Sequence, residues 1–341
     1  MPLAAGQSQQ LTPPNKPYLN KPETPLHPSG DARRYTNTYL SSPAVLDSDE
    51  ILRRFAIMLS SFFFHTFHKY TPLERVLGRR LLIADGIGVP LFATAYVCIA
   101  LGIASDNDPS DSVAPSWVTA CSFFFAALAS FVLYQHTLVA PFPTEDDPEM
   151  FGVMQKIGRW VFLTRQTLCL QAIHAVVSLF DRTQFPSLVR GTHAFAVLIG
   201  GMGIFVTSQY FMLVANHPDF LLACKKWRDR GVAFRVLMHF LHIPCGLLTF
   251  LDLGVIKDRR LLLAQTLPFK SISLIFLGYV IFYVLLVHVN HAFTRQWPYG
   301  FMKELTTPLK WCRFVAMQYV ILIVFVSIAL YIPYYSPTYW R

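Results

Sequence analysis

Charge is scarce in this chain. Asp, Glu, Lys and Arg make up 14% of its 341 residues, against roughly a quarter in ordinary soluble domains, which excludes a fully solvated surface. The six cysteines, Cys98, Cys121, Cys169, Cys224, Cys245 and Cys312, share no paired spacing. That excludes a disulfide framework and a zinc-ligand signature. No Gly-rich phosphate loop, Gly-x-Ser-x-Gly elbow or His-Glu-x-x-His helix is present, so three common catalytic scaffolds have no carrier. Internal repeats of the transporter kind are missing as well. The formal net charge of +9 reads as attraction to anionic lipid, and nothing in it points to nucleic acid.

What the chain has in abundance is apolar sequence: 53% of residues are hydrophobic and mean hydropathy is +0.40. These residues gather into seven long runs, Leu81–Ile103, Ser116–Val139, Trp160–Phe180, Ala194–Ala215, Val232–Leu253, Ile272–Phe293 and Val315–Ile332. A run of about 20 apolar residues crosses a hydrocarbon core of roughly 30 Å as a helix. Backbone polar groups cannot go unpaired in lipid, so the runs are expected to be helical. The expected class is an all-α polytopic transmembrane bundle of about seven spans.

The flanks differ in kind. Residues 1–50 carry eight prolines among Ser, Gln, Asn and Thr, with no apolar h-region; this predicts a disordered tail and not a signal peptide. Residues 51–80 hold the short segment Phe55–Phe64 between Arg53/Arg54 and Lys69, Arg75, Arg79 and Arg80, which suits a basic interfacial helix. A transmembrane domain over 81–341 follows. The distribution of Lys and Arg favours a cytoplasmic N-terminus, in an endomembrane such as the endoplasmic reticulum or in the plasma membrane. The sequence does not set an oligomeric state.

Ionisable groups in a membrane are costly and tend to mark function. Those within or beside the runs include Asp85, His136, His174, His193, His239, His242, Asp252, His288 and His291. With a rise of 1.5 Å per residue, Thr164 and His239 sit on the order of 6 to 10 Å in from the same face. His136, His242, His288 and His291 belong to that polar layer too, whichever side is cytoplasmic. Two chemistries fit it. A His base could take the Thr164 proton as the hydroxyl attacks an ester carbonyl, with a second imidazole orienting the base or stabilising the oxyanion. Alternatively, His239/His242 and His288/His291 are two i, i+3 pairs able to ligate haem or a metal. A blander reading stands beside both: membrane Thr hydroxyls commonly bond back to a carbonyl, and interfacial histidines commonly anchor helix ends. Trp160, Trp297 and Tyr299 at run ends are expected to be belt aromatics.

Four segments carry a resemblance. They are Val161-Phe-Leu-Thr164 with its following run to Leu179-Phe180-Asp181, Met238-His239 with Pro244 five residues on, Gly278-Tyr279 with His288 ten positions after the glycine, and Trp297-Pro-Tyr-Gly-Phe301. Together they resemble the androgen-induced-gene-like family, which includes the androgen-dependent regulator of tissue-factor-pathway inhibitor. The family consists of multi-span membrane threonine hydrolases acting on fatty-acid esters of hydroxy fatty acids. The resemblance implies Thr164 as nucleophile and His239 as its catalytic partner, a fatty-acid ester taken from the bilayer as substrate, and no cofactor or metal. Supporting roles for His288, His242, His291 and His136 come from depth alone. Where the family often has another His three positions before the catalytic one, this chain has Val236. The run from Ser116 would be the family's first span, giving a hydrolase-like core over 116–335 with one extra N-terminal span. Two other classes stay open: a His-ligated haem or metal redox protein, and a non-catalytic transporter or assembly subunit.

Overall fold

The computed structural model describes residues 72–103, 115–138, 152–154, 156–184, 186–229 and 233–335. The expected tail over 1–50, and residues 51–71 of the expected interfacial segment, lie outside the described residues. Within them the regular structure is helical: α1 Pro72–Ile103, α2 Ser116–Leu138, α3 Leu163–Gln184, α4 Pro186–Gln209, α5 Pro218–Asp229, α6 Phe234–Leu251, α7 Arg259–Gln265, α8 Phe269–Thr294 and α9 Pro308–Tyr335. Two of the helices end in a π turn, α4 at Tyr210–Val214 and α6 at Asp252–Ile256. The protein is an integral, multi-pass, all-α membrane protein: six of these segments are long and apolar enough to cross a bilayer, Arg80–Gly102, Ser116–Tyr134, Ser187–Val214, Phe234–Ile256, Phe269–Thr294 and Pro308–Tyr335.

The expected third span is the exception. Helix α3 has the length, 22 residues, but it carries Thr164, Arg165, Gln166, Thr167, Gln171, His174 and Ser178, all buried. Lipid would leave these groups unpaired at a cost of several kcal/mol each, so α3 takes the interior and the apolar helices enclose it. Its polar side chains reach out to the surrounding elements. Gln171 donates to the Cys245 carbonyl of α6 at 2.8 Å. His174 lies 2.7 Å from the Tyr96 hydroxyl of α1 and 2.8 Å from the Asp252 carboxylate at the end of α6. Gln166 accepts from the Tyr279 hydroxyl of α8 at 2.6 Å. Hydrophobic side chains fill the space between, with Leu168 against Val206, Cys245 and Val326 from α4, α6 and α9.

Helix α4 is the other central element, and it approaches its neighbours through glycine. A Cβ at Gly203 would lie 2.4 Å from the Cys245 carbonyl oxygen of α6, and one at Gly191 would lie 2.1 Å from the Ala100 carbonyl oxygen of α1. Such close backbone contact maximises dispersion where helices gain nothing from excluding water. Two short helices lie outside the expected runs. Helix α5 begins with Asp219 and ends with Lys226 and Arg228, matching the helix dipole, and seats Trp227 against Phe234. Helix α7 is capped by Asp258, whose carboxylate accepts from the Arg260 and Leu261 amides.

The α4–α6 contact makes a test. Gly203→Val should cost about 1–3 kcal/mol through overpacking and lower the thermal midpoint in detergent. Gly86→Val, at a position with nothing within 4 Å, should leave it nearly unchanged. Equal midpoints for the two variants would contradict the close approach.

Candidate active site

The chain enters α3 through a 3-10 turn at Gly158–Val161, which places Thr164 in the first turn, 5% exposed. The unsatisfied amides of a helix start need acceptors. At Leu163 the acceptor is the Tyr299 hydroxyl, 3.1 Å away, and the same hydroxyl hydrogen-bonds with the Thr164 side chain and with Tyr283. Burial pushes the Tyr299 phenol above its ordinary range, partly offset by these hydrogen bonds, so it stays a neutral donor. Tyr283 donates to the Val161 carbonyl at 3.0 Å. Tyr299 is delivered by the loop after α8, which turns through Arg295 in the left-handed conformation, φ 60°. Gly300 then packs so tightly on His217 and Asp219 that a Cβ would lie 2.5 Å from the Asp219 carboxylate.

Helix α6 supplies the imidazoles. Pro244 lies inside it and removes one ladder hydrogen bond. In a straight helix the Gly246 amide would bond the His242 carbonyl. Here the Thr207 hydroxyl of α4 stands between them, donating to the His242 carbonyl at 2.7 Å and accepting from the Gly246 amide at 2.9 Å. The His242 Nδ1 faces the Met238 carbonyl at 2.7 Å. A carbonyl can only accept, so Nδ1 carries the hydrogen and Nε2 keeps a lone pair. Tyr210 opens the π turn of α4 and joins both histidines: its ring stacks on His242 at 4.0 Å, and its hydroxyl lies 3.0 Å from His239 Nδ1.

Two adjoining cavities meet at these residues. One, of about 110 Å³, runs among α4, α8 and α9 and is almost wholly apolar apart from Thr164, Gln209, His242, Gln318 and the tyrosines 210, 279, 283 and 299. The second, of about 210 Å³, lies between α5, α6 and the 298–301 loop, and is edged by Arg159, His217 and Asp219. Thr164, Tyr210, His242 and Tyr299 line both. An apolar chamber with a few convergent polar groups is the usual form of a small-molecule site.

Beside Thr164 lies a buried charge cluster. Asp85 of α1 pairs with Arg159 at 2.7 Å and with Arg165 at 2.9 Å, and the Arg165 guanidinium lies over the Trp160 ring. Desolvation lowers Arg159 to about 10 even though Asp85 opposes it, so it remains a cation at neutral pH.

The polar layer expected from depth is therefore divided. Thr164 and His242 line the same cavities. His239 lines neither, and it is partly exposed beside Phe211, reaching the site through Tyr210. His288 and His291 pack instead on Trp311 and Trp297, at 4.5 and 3.9 Å between ring centroids. The side chain of His136 lies outside the described residues. The two histidine pairs thus have different surroundings, and among the described residues no three His, Cys, Asp or Glu converge as metal ligands would. Of the expected belt aromatics, Trp160 and Tyr299 face protein: the Trp160 indole donates to the Ala84 carbonyl, and Tyr299 holds the start of α3. Sequence reasoning missed Tyr210, Tyr283 and the Arg165–Asp85 pair. The last had a signal, because an Arg and an Asp inside apolar runs have to find each other.

A bundle with six apolar candidate spans among the described residues, a polar central helix and a Thr–Tyr–His cavity defines the class. The family model for FAR-17a/AIG1-like proteins matches residues 119–331, well over half of the chain, and the protein belongs to that family. The match begins inside α2, so α1 precedes the shared region. No curated protein and no solved structure matches the chain.

Removing one partner of a buried ion pair strands the others, at a cost of about 3–5 kcal/mol. Asp85→Ala should accordingly lower resistance to denaturation far more than Asp219→Ala, a change at an exposed carboxylate, when both are followed by tryptophan fluorescence in detergent.

Proposed function

We propose that the protein is a membrane-embedded hydrolase of fatty-acid esters in which Thr164 is the nucleophile. The observation that carries this reading is a buried threonine hydroxyl and an imidazole with a free Nε2 lone pair on the walls of the same apolar cavities. Family membership supports the reaction class, and the lining supports a lipid substrate, with an acyl chain among α4, α8 and α9.

The reaction would run in two halves. Thr164 Oγ attacks the ester carbonyl carbon as its proton passes to an imidazole, which then protonates the departing alkoxide as the C–O bond breaks. Water attacks the resulting threonyl ester with the same imidazole as base, releasing the fatty acid and restoring the hydroxyl. Tyr299 accepts from the Leu163 amide and keeps one hydrogen, which it can turn to the oxyanion as that charge develops.

The resemblance assigns the base to His239, whereas the cavity lining favours His242, and we place the base at His242. This also restores the family's His-x-x-His spacing, with His239 as the earlier member and Val236 no longer a departure. His239 then acts as a positioning residue through the Tyr210 hydroxyl.

Thr164→Ala should abolish both covalent labelling by a fluorophosphonate probe and hydrolysis of a fatty-acid ester. His242→Ala should lower turnover by roughly 10²–10⁴, the usual contribution of a general base, and His239→Ala by markedly less. Full labelling of Thr164→Ala would end the hydrolase reading. A larger loss in His239→Ala than in His242→Ala would return the base to His239.

A further inference from the structure

Outside the catalytic cavities, a third and larger space opens between α1 and α8, with a volume of about 590 Å³, within the range of roughly 300–1,000 Å³ common for ligand sites. One wall is a stripe of α1, where Ile83, Ile87 and Leu91 follow one another at helical spacing and are 64%, 66% and 64% exposed. The facing wall comes from α8. The floor is rigid: Trp160 is pinned by its hydrogen bond to the Ala84 carbonyl and by stacking on Phe92 at 4.8 Å.

Among the described residues that line this cleft the charges have one sign. Arg80 begins the α1 stripe, Lys156 approaches from the turn before α3, and no described lining residue is Asp or Glu. Asp85, five residues after Arg80, is already held by Arg159 and Arg165. An apolar trough with a cationic mouth is complementary to an acyl chain that ends in an anionic headgroup. Of such headgroups, a phosphate diester suits an arginine fork backed by a lysine point charge.

We propose that the α1–α8 cleft is a binding site for an anionic phospholipid, with its phosphate between Arg80 and Lys156 and an acyl chain along Ile83, Ile87 and Leu91. The site is separate from the catalytic chamber. Gln166 stands at the boundary, lining the cleft while accepting from Tyr279, which lines the chamber. It is built in part on α1, which precedes the region shared with the family.

The test needs no catalytic readout. The full-length protein is delipidated in detergent, offered an equimolar mixture of phosphatidylglycerol and phosphatidylcholine, and examined by native mass spectrometry. The wild type should retain phosphatidylglycerol in preference. Arg80→Ala/Lys156→Ala should reduce that preference by roughly thirtyfold, the order expected for losing two cations beside an anionic headgroup. Ile87→Trp, which fills the trough, should reduce retention of both lipids, and Lys225→Ala/Lys226→Ala on α5 should behave as wild type. All four substituted side chains that carry charge are exposed, so folding is not at stake in those variants. The proposal fails if the wild type shows no preference, if the Arg80/Lys156 variant keeps it, if Ile87→Trp retains lipid normally, if the α5 variant loses the preference equally, or if oleate displaces phosphatidylglycerol at equal concentration.

Discussion

A bilayer offers polar groups no partners, and the architecture follows from how this chain satisfies that constraint. The polar side chains of α3 cannot face lipid, so the helix occupies the middle of the bundle and several of these groups meet partners supplied by other elements. Gln171 finds a carbonyl, His174 a carboxylate and a phenol, Arg165 a carboxylate, and Gln166 a tyrosine. These bonds fix the rotation and depth of α3 more sharply than apolar packing could, because hydrocarbon contacts tolerate sliding and directed hydrogen bonds do not. Thr164 inherits its position from that arrangement.

The site shows the same economy in its backbone. Pro244 and the inserted Thr207 hydroxyl interrupt α6 beside His242, and a π turn interrupts α4 at Tyr210. Irregular backbone at membrane depth is tolerated where protein or a cavity receives the freed groups, and π turns recur at functional sites. Here both interruptions adjoin residues that line the cavities, His242 and Tyr210.

Much of the fold was legible in hydropathy, because the need to pair backbone groups makes every long apolar run a helix; the expected runs differ from the helices mainly at their ends. The polar third run was legible as a helix but not as the central one, since a span's length says nothing about what surrounds it; its density of Thr, Gln, Arg and His was the overlooked sign. Depth put Thr164 and His242 in one layer, and both line the same cavities, yet depth could not separate them from His288 and His291. Level along the membrane normal is encoded by distance from a run's end, whereas the direction a side chain faces is set by tertiary packing against Trp297 and Trp311. Tyr210 and Tyr299 were hidden for the same reason: each gains its role from a contact across more than one helix.

The burial of α3 also bears on how the protein is made. Gln171, His174 and Ser178 stand in the middle of α3, where each opposes insertion of the isolated helix, and Arg165 stands in its first turn. Its counter-ion, Asp85, is emitted earlier in α1, while the partners of its far end, Cys245 and Asp252, come later in α6. The helix at the heart of the bundle is thus unable to rest in the bilayer by itself. Its entry is a joint event that begins with α1 already in place and is completed when α6 arrives.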